Sequence, residues 1–361
     1  MTTVGITAAG AAAAAKPFLT QLNTVSSIGS TVPANGDVNP YGVALVSSST
    51  GKLVAGDTLV SNFNDKANVQ GTGTTIVEVT PSGRTQLFSR ISHLPSGAAC
   101  PGGVGLSTAL AILRGGWVVV GSLPTGAGGT LPKQAPAGCI IVLNSDGVVV
   151  ETFSNPNING PWDMVAQATV SGANLFVSNS LGGNTKTHKG VPVAGNCTIV
   201  RLSLTIAAGA PPQLVSSTVV GSAYPWKADK AALVLAPTGL ALSLNGTLYV
   251  DNTLGNTVSA IPDAVDRTSP VSEASSLIST GGSLNAPLGM VLAPNGDLVV
   301  VNGNNGVATE LTPAGKQVAS KTLVKKGAGD LFGLAVTPDG QGIVFVNDGT
   351  NALDQARHGA G

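Results

Sequence analysis

The chain has 361 residues, enough for two or three ordinary domains, yet charged side chains make up only 10% of it, 18 basic against 18 acidic with no formal net charge. No basic stripe or cluster exists to neutralise phosphates, which argues against nucleic acid and anionic membrane surfaces as partners. Mean hydropathy is positive at +0.31, but the apolar residues fall in short runs bounded by Gly, Asn, Ser or Pro, so no membrane span is expected.

The first segment, residues 1–15, ends in the low-complexity stretch Ala11 to Ala15. It has neither a basic region nor a long apolar core and is too weak for a signal peptide, so it reads as disordered or processed. The segment from Phe18 to Val25 then has strand character but no partner nearby in the chain.

From residue 40 onward one phrase returns six times. A small turn with a glycine leads into an apolar strand, a turn, and a second apolar strand ending in Asn or Ser. The openings are Pro40-Tyr41-Gly42, Pro101-Gly102-Gly103, Pro161-Trp162-Asp163, Pro237-Thr238-Gly239, Pro287-Leu288-Gly289 and Leu331-Phe332-Gly333. The second strands end at Asn62, Ser122, Asn179, Asn252, Asn302 and Asn347. Such a unit cannot bury its own faces, so repeats of this size stack around a common axis.

The first unit shows the full pattern, with strands at 43–46, 58–61, 75–79 and, after the turn Pro81-Ser82-Gly83, near 85–88. Four antiparallel strands per unit form the blade of a β-propeller. Asn245-Gly246, Asn295-Gly296 and Asp339-Gly340 supply the positive φ that tight hairpins need. The last unit runs out of chain after a third strand near 351–355, and the N-terminal strand is predicted to supply the fourth, which removes exposed edges. The expected fold is all-β: one domain over residues 16–356, a six-bladed β-propeller with its last blade closed by the N-terminal strand, and a tail at 357–361.

The stretch Leu248-Tyr249-Val250-Asp251-Asn252-Thr253-Leu254-Gly255-Asn256-Thr257-Val258 resembles an NHL repeat, an apolar strand followed by Asp or Asn and a further Asn. Pro294-Asn295-Gly296-Asp297 and Pro338-Asp339-Gly340 resemble the preceding turn. The resemblance covers most of the chain as strand pattern, with compact copies in units four to six. It implies a six-bladed ring, and NHL propellers serve as binding platforms, lactonase-like hydrolases or lyases.

Three connections between second and third strands, 63–74, 123–139 and 181–196, are about twice the usual loop length, while those of units four to six are a few residues. A wall over three blades facing a lower rim makes a cleft, where recognition commonly sits; neutral drift of exposed loops is the alternative. Asp163 stands where the other five openings carry glycine. Its carboxylate would project toward the channel mouth beside Trp162, to hold a calcium-like divalent cation, act as a base or bind a ligand. Alternatively it satisfies the amides of a nearby turn. The strand-end residues Asn62, Asn179 and Asn252, with Asn302 and Asn347, could ligate calcium or a polar ligand, or tie neighbouring blades together as in NHL repeats. Asp251 and Asp348 flank them. A lactonase resembling the SMP-30 group would need a Glu at a strand entrance, and none is there.

Tyr41, Trp226 and Phe332 add aromatic faces near strand entrances. Of the histidines, His93 and His188 fall on the looped rim and His358 in the tail. No GxSxG elbow, HExxH helix, P-loop or dinucleotide fingerprint is present. Cys100 and Cys139 belong to one rim of one blade and are candidates for a disulfide, leaving Cys197 free; three small buried hydrophobes is the other reading. A disulfide and the Ser-, Thr-, Asn- and Gly-rich composition point to a secreted or periplasmic protein. The sequence thus describes a binding platform whose looped rim holds a small polar ligand or partner segment through Tyr41, Asn62, Trp162, Asp163, Asn179, Trp226 and Asn252. The alternative is a metal-assisted, lactonase-like hydrolase or lyase at the channel mouth with its cation on Asp163.

Overall fold

The computed structural model describes residues 16–123, 125, 129, 131, 138–182 and 193–359; the expectation for residues 1–15 lies outside them. Six antiparallel sheets are arranged as blades around an axis. Blade 1 comprises Val38–Leu45, Thr58–Asn64, Thr75–Val79 and Thr85–Arg90. Blade 2 comprises Leu106–Leu113, Trp117–Ser122, Cys139–Leu143 and Val149–Phe153. Blade 4 comprises Pro237–Leu242, Leu248–Asn252, Thr257–Ile261 and Leu277–Thr280, and blade 5 Pro287–Leu292, Leu298–Asn302, Val307–Leu311 and Gln317–Thr322. The first strands of neighbouring blades touch all the way round, blade 6 against blade 1 included, so the ring is closed.

Burial explains the sequence pattern. Five of the six second strands are wholly buried, because each lies between the faces of two neighbouring blades. That is why they read as continuous apolar runs, such as Leu298-Val299-Val300-Val301, rather than alternating ones. Of the outermost strands, Leu22–Ser30 is largely exposed and Gln317–Thr322 mostly half-buried.

Blade 6 joins both ends of the chain: Leu331–Val336, Gly342–Asn347 and Ala352–His358 are completed by Leu22–Ser30, with Ser26 opposite Gln355. Closure by the N-terminal strand holds, but the strand starts later than expected. Phe18–Gln21 form a turn of 3-10 helix instead, because the Glu310 carboxylate accepts the Phe18 and Leu19 N–H groups at 2.7 Å each. The third strand continues to His358, opposite Leu22, so the expected tail boundary after residue 356 moves outward and His358 is part of a sheet.

Blades 2 and 3 depart from the expected pattern. Pro161 pairs with Asn179 and Pro40 with Asn62, but in blade 2 it is Leu106 that pairs with Ser122. The entrance of blade 2 is therefore Leu106-Ser107-Thr108, not Pro101-Gly102-Gly103. Blade 3 comprises Pro161–Ala168, Gly172–Asn179, Val193–Thr205 and Gln213–Asp229. Its last strand rises above the ring to pair with Leu233–Leu235, and Val271–Ser272 adds in parallel lower down. Cys100 and Cys139 form a disulfide with Cα atoms 5.2 Å apart, and Cys197 is free and buried.

The Glu310 clamp gives a test of closure. In Glu310→Gln one of the two acceptor oxygens is lost and a buried N–H goes unpaired, at a cost of about 1–3 kcal/mol. Equilibrium denaturation should show that loss, with proteolytic cleavage near residue 20 appearing before the rest of the chain opens.

Candidate ligand-binding cup at the mouth of the ring

The strand entrances create two cavities on the axis. Tyr41 stacks on Phe332 with centroids 4.1 Å apart and on Phe63 at 4.6 Å, and meets Trp162 edge-on at 5.6 Å. All four rings are buried. This aromatic layer lies across the axis. Below it is a cavity of about 130 Å³ lined by Val43, Leu110, Val165, Leu240, Met290 and Leu334, with Asp163 at its upper edge. Above it a cup of about 480 Å³ opens on the looped rim, with Tyr41, Trp162, Phe332 and Leu288 as its floor.

Two walls of the cup have different chemistry. On one side stand Asn64, Asn68 and Gln70 from the long loop of blade 1, and Ala231, Ala232, Val234 and Leu235 from the raised hairpin of blade 3. The Gln70 amide donates to the Ala231 carbonyl and bridges the two. On the other side, Asp330 and Asp348 of blade 6 both face the cup, with Asn304 of blade 5 beside them. Among the described residues neither carboxylate is in an ion pair, and none of the described lining residues is basic. Burial and then the Asp330 charge push Asp348 up to about 6, and burial raises Asp330.

Asp163 sits beneath the aromatic layer rather than in the cup. A Cβ on Gly289 or Gly333 would lie 2.2 Å from the carbonyl oxygen of the next blade, Phe332 or Tyr41, so these entrances need glycine for close approach. Between blades 3 and 4 the Asp163 side chain occupies the gap. One carboxylate oxygen accepts the Met164 N–H at 2.8 Å and the other the Leu240 N–H at 3.2 Å. Asp251, on the second strand of blade 4, accepts the Gly239 N–H and the Thr238 hydroxyl with its Oδ1. Two carboxylates thus hold consecutive amides of one strand. Burial first, then the nearby Asp251 charge, raises Asp163 to about 8 against the pull of its two amide bonds; burial raises Asp251 to about 7.

The strand-end asparagines do not converge on the axis. Asn62 donates to the Thr31 carbonyl and the Thr75 hydroxyl. Asn179 accepts the Asn159 and Gly160 N–H groups and donates to Asn157 and Thr198. Asn252 donates to the Pro225 carbonyl and accepts the Leu254 and Gly255 N–H groups. All three are fully buried and latch the connections between blades. Trp226 is also fully buried, in the core beside the raised hairpin, away from the cup. An axial cation on Asp163 and these asparagines finds no converging ligand set: both Asp163 oxygens accept backbone amides, and so do the Asn179 and Asn252 oxygens, which leaves only Asn62 Oδ1, buried without a hydrogen-bond partner. Among the described residues no three His, Cys, Asp or Glu side chains form a metal-ligating group. His93 is exposed, and His188 lies outside the described residues.

Of the residues expected to bind a ligand, Tyr41 and Trp162 do line the cup. Asp330, Asn39, Asn64, Asn68, Gln70 and Asn304 were missed as site residues. A signal was available: Asn39 and Asp330 each immediately precede an entrance phrase, and Asn64, Asn304 and Asp348 follow a strand-end asparagine by one or two positions.

No family model matches the chain, and no curated protein matches its sequence. Solved structures share its fold. A gluconolactonase of Xanthomonas campestris superposes with a TM-score of 0.56 at 12% identity, covering 92% of this chain and 88% of that one. The calcium-binding protein regucalcin of Agrobacterium tumefaciens gives 0.55 at 13%, with 92% and 96% covered. A streptogramin B lyase gives 0.53 at 13%, also with 92% and 96% covered. The fold class is therefore that of six-bladed propellers.

The Asp163–Asp251 pair carries a pH dependence of definite sign. Both groups bind protons more tightly in the folded chain than in the unfolded one, where Asp titrates near about 3.9. Their stabilising contribution is complete below about pH 4. It is lost as pH rises through about 7 for Asp251 and about 8 for Asp163. Asp251→Asn keeps the Oδ1 acceptor and replaces an oxygen that has no hydrogen-bond partner. We expect this variant to fold and to show a shallower fall in unfolding free energy between pH 5 and 8, by up to about 1.4 kcal/mol per pH unit where Asp251 alone titrates. Denaturant titrations of both proteins across that range would check it.

Proposed function

We propose that the protein is a ligand-binding propeller that takes a small, neutral or cationic polar molecule into the cup. The observation that carries this reading is the cup itself: an aromatic floor, amide side chains on one wall, and two unpaired carboxylates on the other. Apolar floors with a few placed polar groups are the usual make-up of small-molecule sites. The carboxylates disfavour anions, and the aromatic faces and amides suit a polyol or an amine. The NHL-like strand pattern agrees with a platform role. The Cys100–Cys139 disulfide supports an oxidising location, secreted or periplasmic.

A second reading, a lactonase-like hydrolase acting in the same cup, is favoured by one observation. Asp348, held at about 6, titrates where a general base is effective near neutral pH. In that reading it would take the proton from a water attacking a small uncharged ester. The fold shared with a gluconolactonase agrees with this without assigning it.

Thermal-shift measurements with small polyols and amines, against a sugar acid as the anionic counterpart, test the binding reading. We expect stabilisation by members of the first two groups only. Asp348→Asn should weaken an amine about 10- to 100-fold, the equivalent of one charge-assisted hydrogen bond. Stabilisation by the sugar acid alone would sink the proposal. Turnover of small lactones by the wild type, lost in Asp348→Asn and following a group near 6, would decide for the hydrolase.

A further inference from the structure

A third cavity lies at the opposite rim, in the seam between blades 6 and 1. It measures about 290 Å³ and is walled by Leu45 and Val79 of blade 1, Val344 and Leu353 of blade 6, and Ile28 of the closing strand. Its outer side is sealed by backbone: a Cβ on Gly29 would lie 2.5 Å from the Gly83 carbonyl oxygen. Toward the rim it ends on Arg357, whose guanidinium donates to Asp339 in a partly exposed ion pair. Neighbouring seams are filled. Leu53, from the turn between the first two strands of blade 1, is buried in the core shared by blades 1 and 2. Phe18 and Leu19 are buried in the core shared by blades 5 and 6. The matching turn of blade 6, Thr337 to Gly342, is a tight one, too short to send a side chain into the space beside it.

We propose that this cavity binds a neutral aliphatic molecule with one hydroxyl or amide head placed against the Arg357–Asp339 pair. A dry cavity of about 150 Å³ holds benzene, so this one accommodates roughly 12 heavy atoms. Each methylene buried adds to the affinity before the costs of binding are met. The head is neutral because of the pair it meets. Guanidinium only donates and carboxylate only accepts, so a hydroxyl or primary amide satisfies both. A carboxylate head would face Asp339, and an ammonium head would face Arg357. The walls come from both ends of the chain, so an occupant bridges the closing seam and stabilises the ring by linkage.

The test is thermal unfolding of the whole protein with 1-alkanols from hexanol to tetradecanol, with decanoate and decylamine as charged controls. Stabilisation should grow with chain length and level off near about 12 heavy atoms, with affinity at least tenfold weaker for the charged controls. Thr58→Trp, which fills the cavity from its wall, should abolish the shift; if it does not fold, Gln355→Trp serves the same purpose from the other sheet. Arg357→Ala should weaken the best alkanol about tenfold, one charge-assisted hydrogen bond. No stabilisation by any alkanol, an unchanged shift in the filled variant, or equal binding of decanoate would each overturn the proposal. The filled variant keeps the cup, so failure here is separable from failure of the cup ligand.

Discussion

The pairing of Leu22–Ser30 with Ala352–His358 is the contact on which the rest of the molecule depends. It joins segments more than 320 residues apart, yet the loop-closure penalty grows only logarithmically, about 0.6 kcal/mol per doubling of length. A ladder of seven residue pairs, interrupted by two register shifts, and a shared core outweigh that readily. Without the pairing, blade 6 would present an open edge and its first strand would lose its seat against blade 1. The axis would then lose its shape, because both axial cavities take walls from that junction. Phe332, Asp330 and Asp348 of blade 6 line the cup beside Tyr41 and Asn39 of blade 1. Leu334 faces Val43 across the channel.

Crowding at the strand entrances then decides what chemistry each level of the axis can hold. Where two first strands approach through glycine, no side chain fits between them. Asp163 occurs at a junction wide enough for a carboxylate, and there it does the work of a backbone acceptor for Leu240. The aromatic layer above it separates that carboxylate from the rim. The same ring of entrances therefore yields a narrow level with the Asp163 carboxylate below and a wider, solvent-facing cup above.

Much of this was legible in the sequence because it follows from periodic constraint. Second strands buried on both faces must be apolar throughout, hairpins must carry glycine, and a short last unit must borrow a strand. The two cysteines of blade 2 could be paired because the unit pattern put them on one rim. The blade 2 entrance was misread because Pro101-Gly102-Gly103 repeats the punctuation of an entrance inside a connection, and only strand pairing fixes Leu106 opposite Ser122. The asparagines misled for a different reason. A strand-end position is visible in sequence, but the direction of its side chain is not. Asn62 turns into the seam while Asn64, two residues on, faces the cup. Trp226 lies on a strand that outgrows its blade, which no repeat pattern could indicate.

The placement of charge follows from the same geometry. A chain with so few ionisable groups still puts four carboxylates near its axis, and depth separates their behaviour. Asp163 and Asp251, beneath the aromatic layer, are raised by burial to about 8 and about 7, so they hold their protons to higher pH than Asp348 does. Asp348, half-buried at the cup wall, is raised only to about 6. As pH rises Asp348 of the cup therefore ionises ahead of the pair below it. A cationic group entering the cup meets carboxylates that are in no ion pair among the described residues. The aromatic layer is thus a steric partition between the two levels, with the long loops standing on the side of the cup.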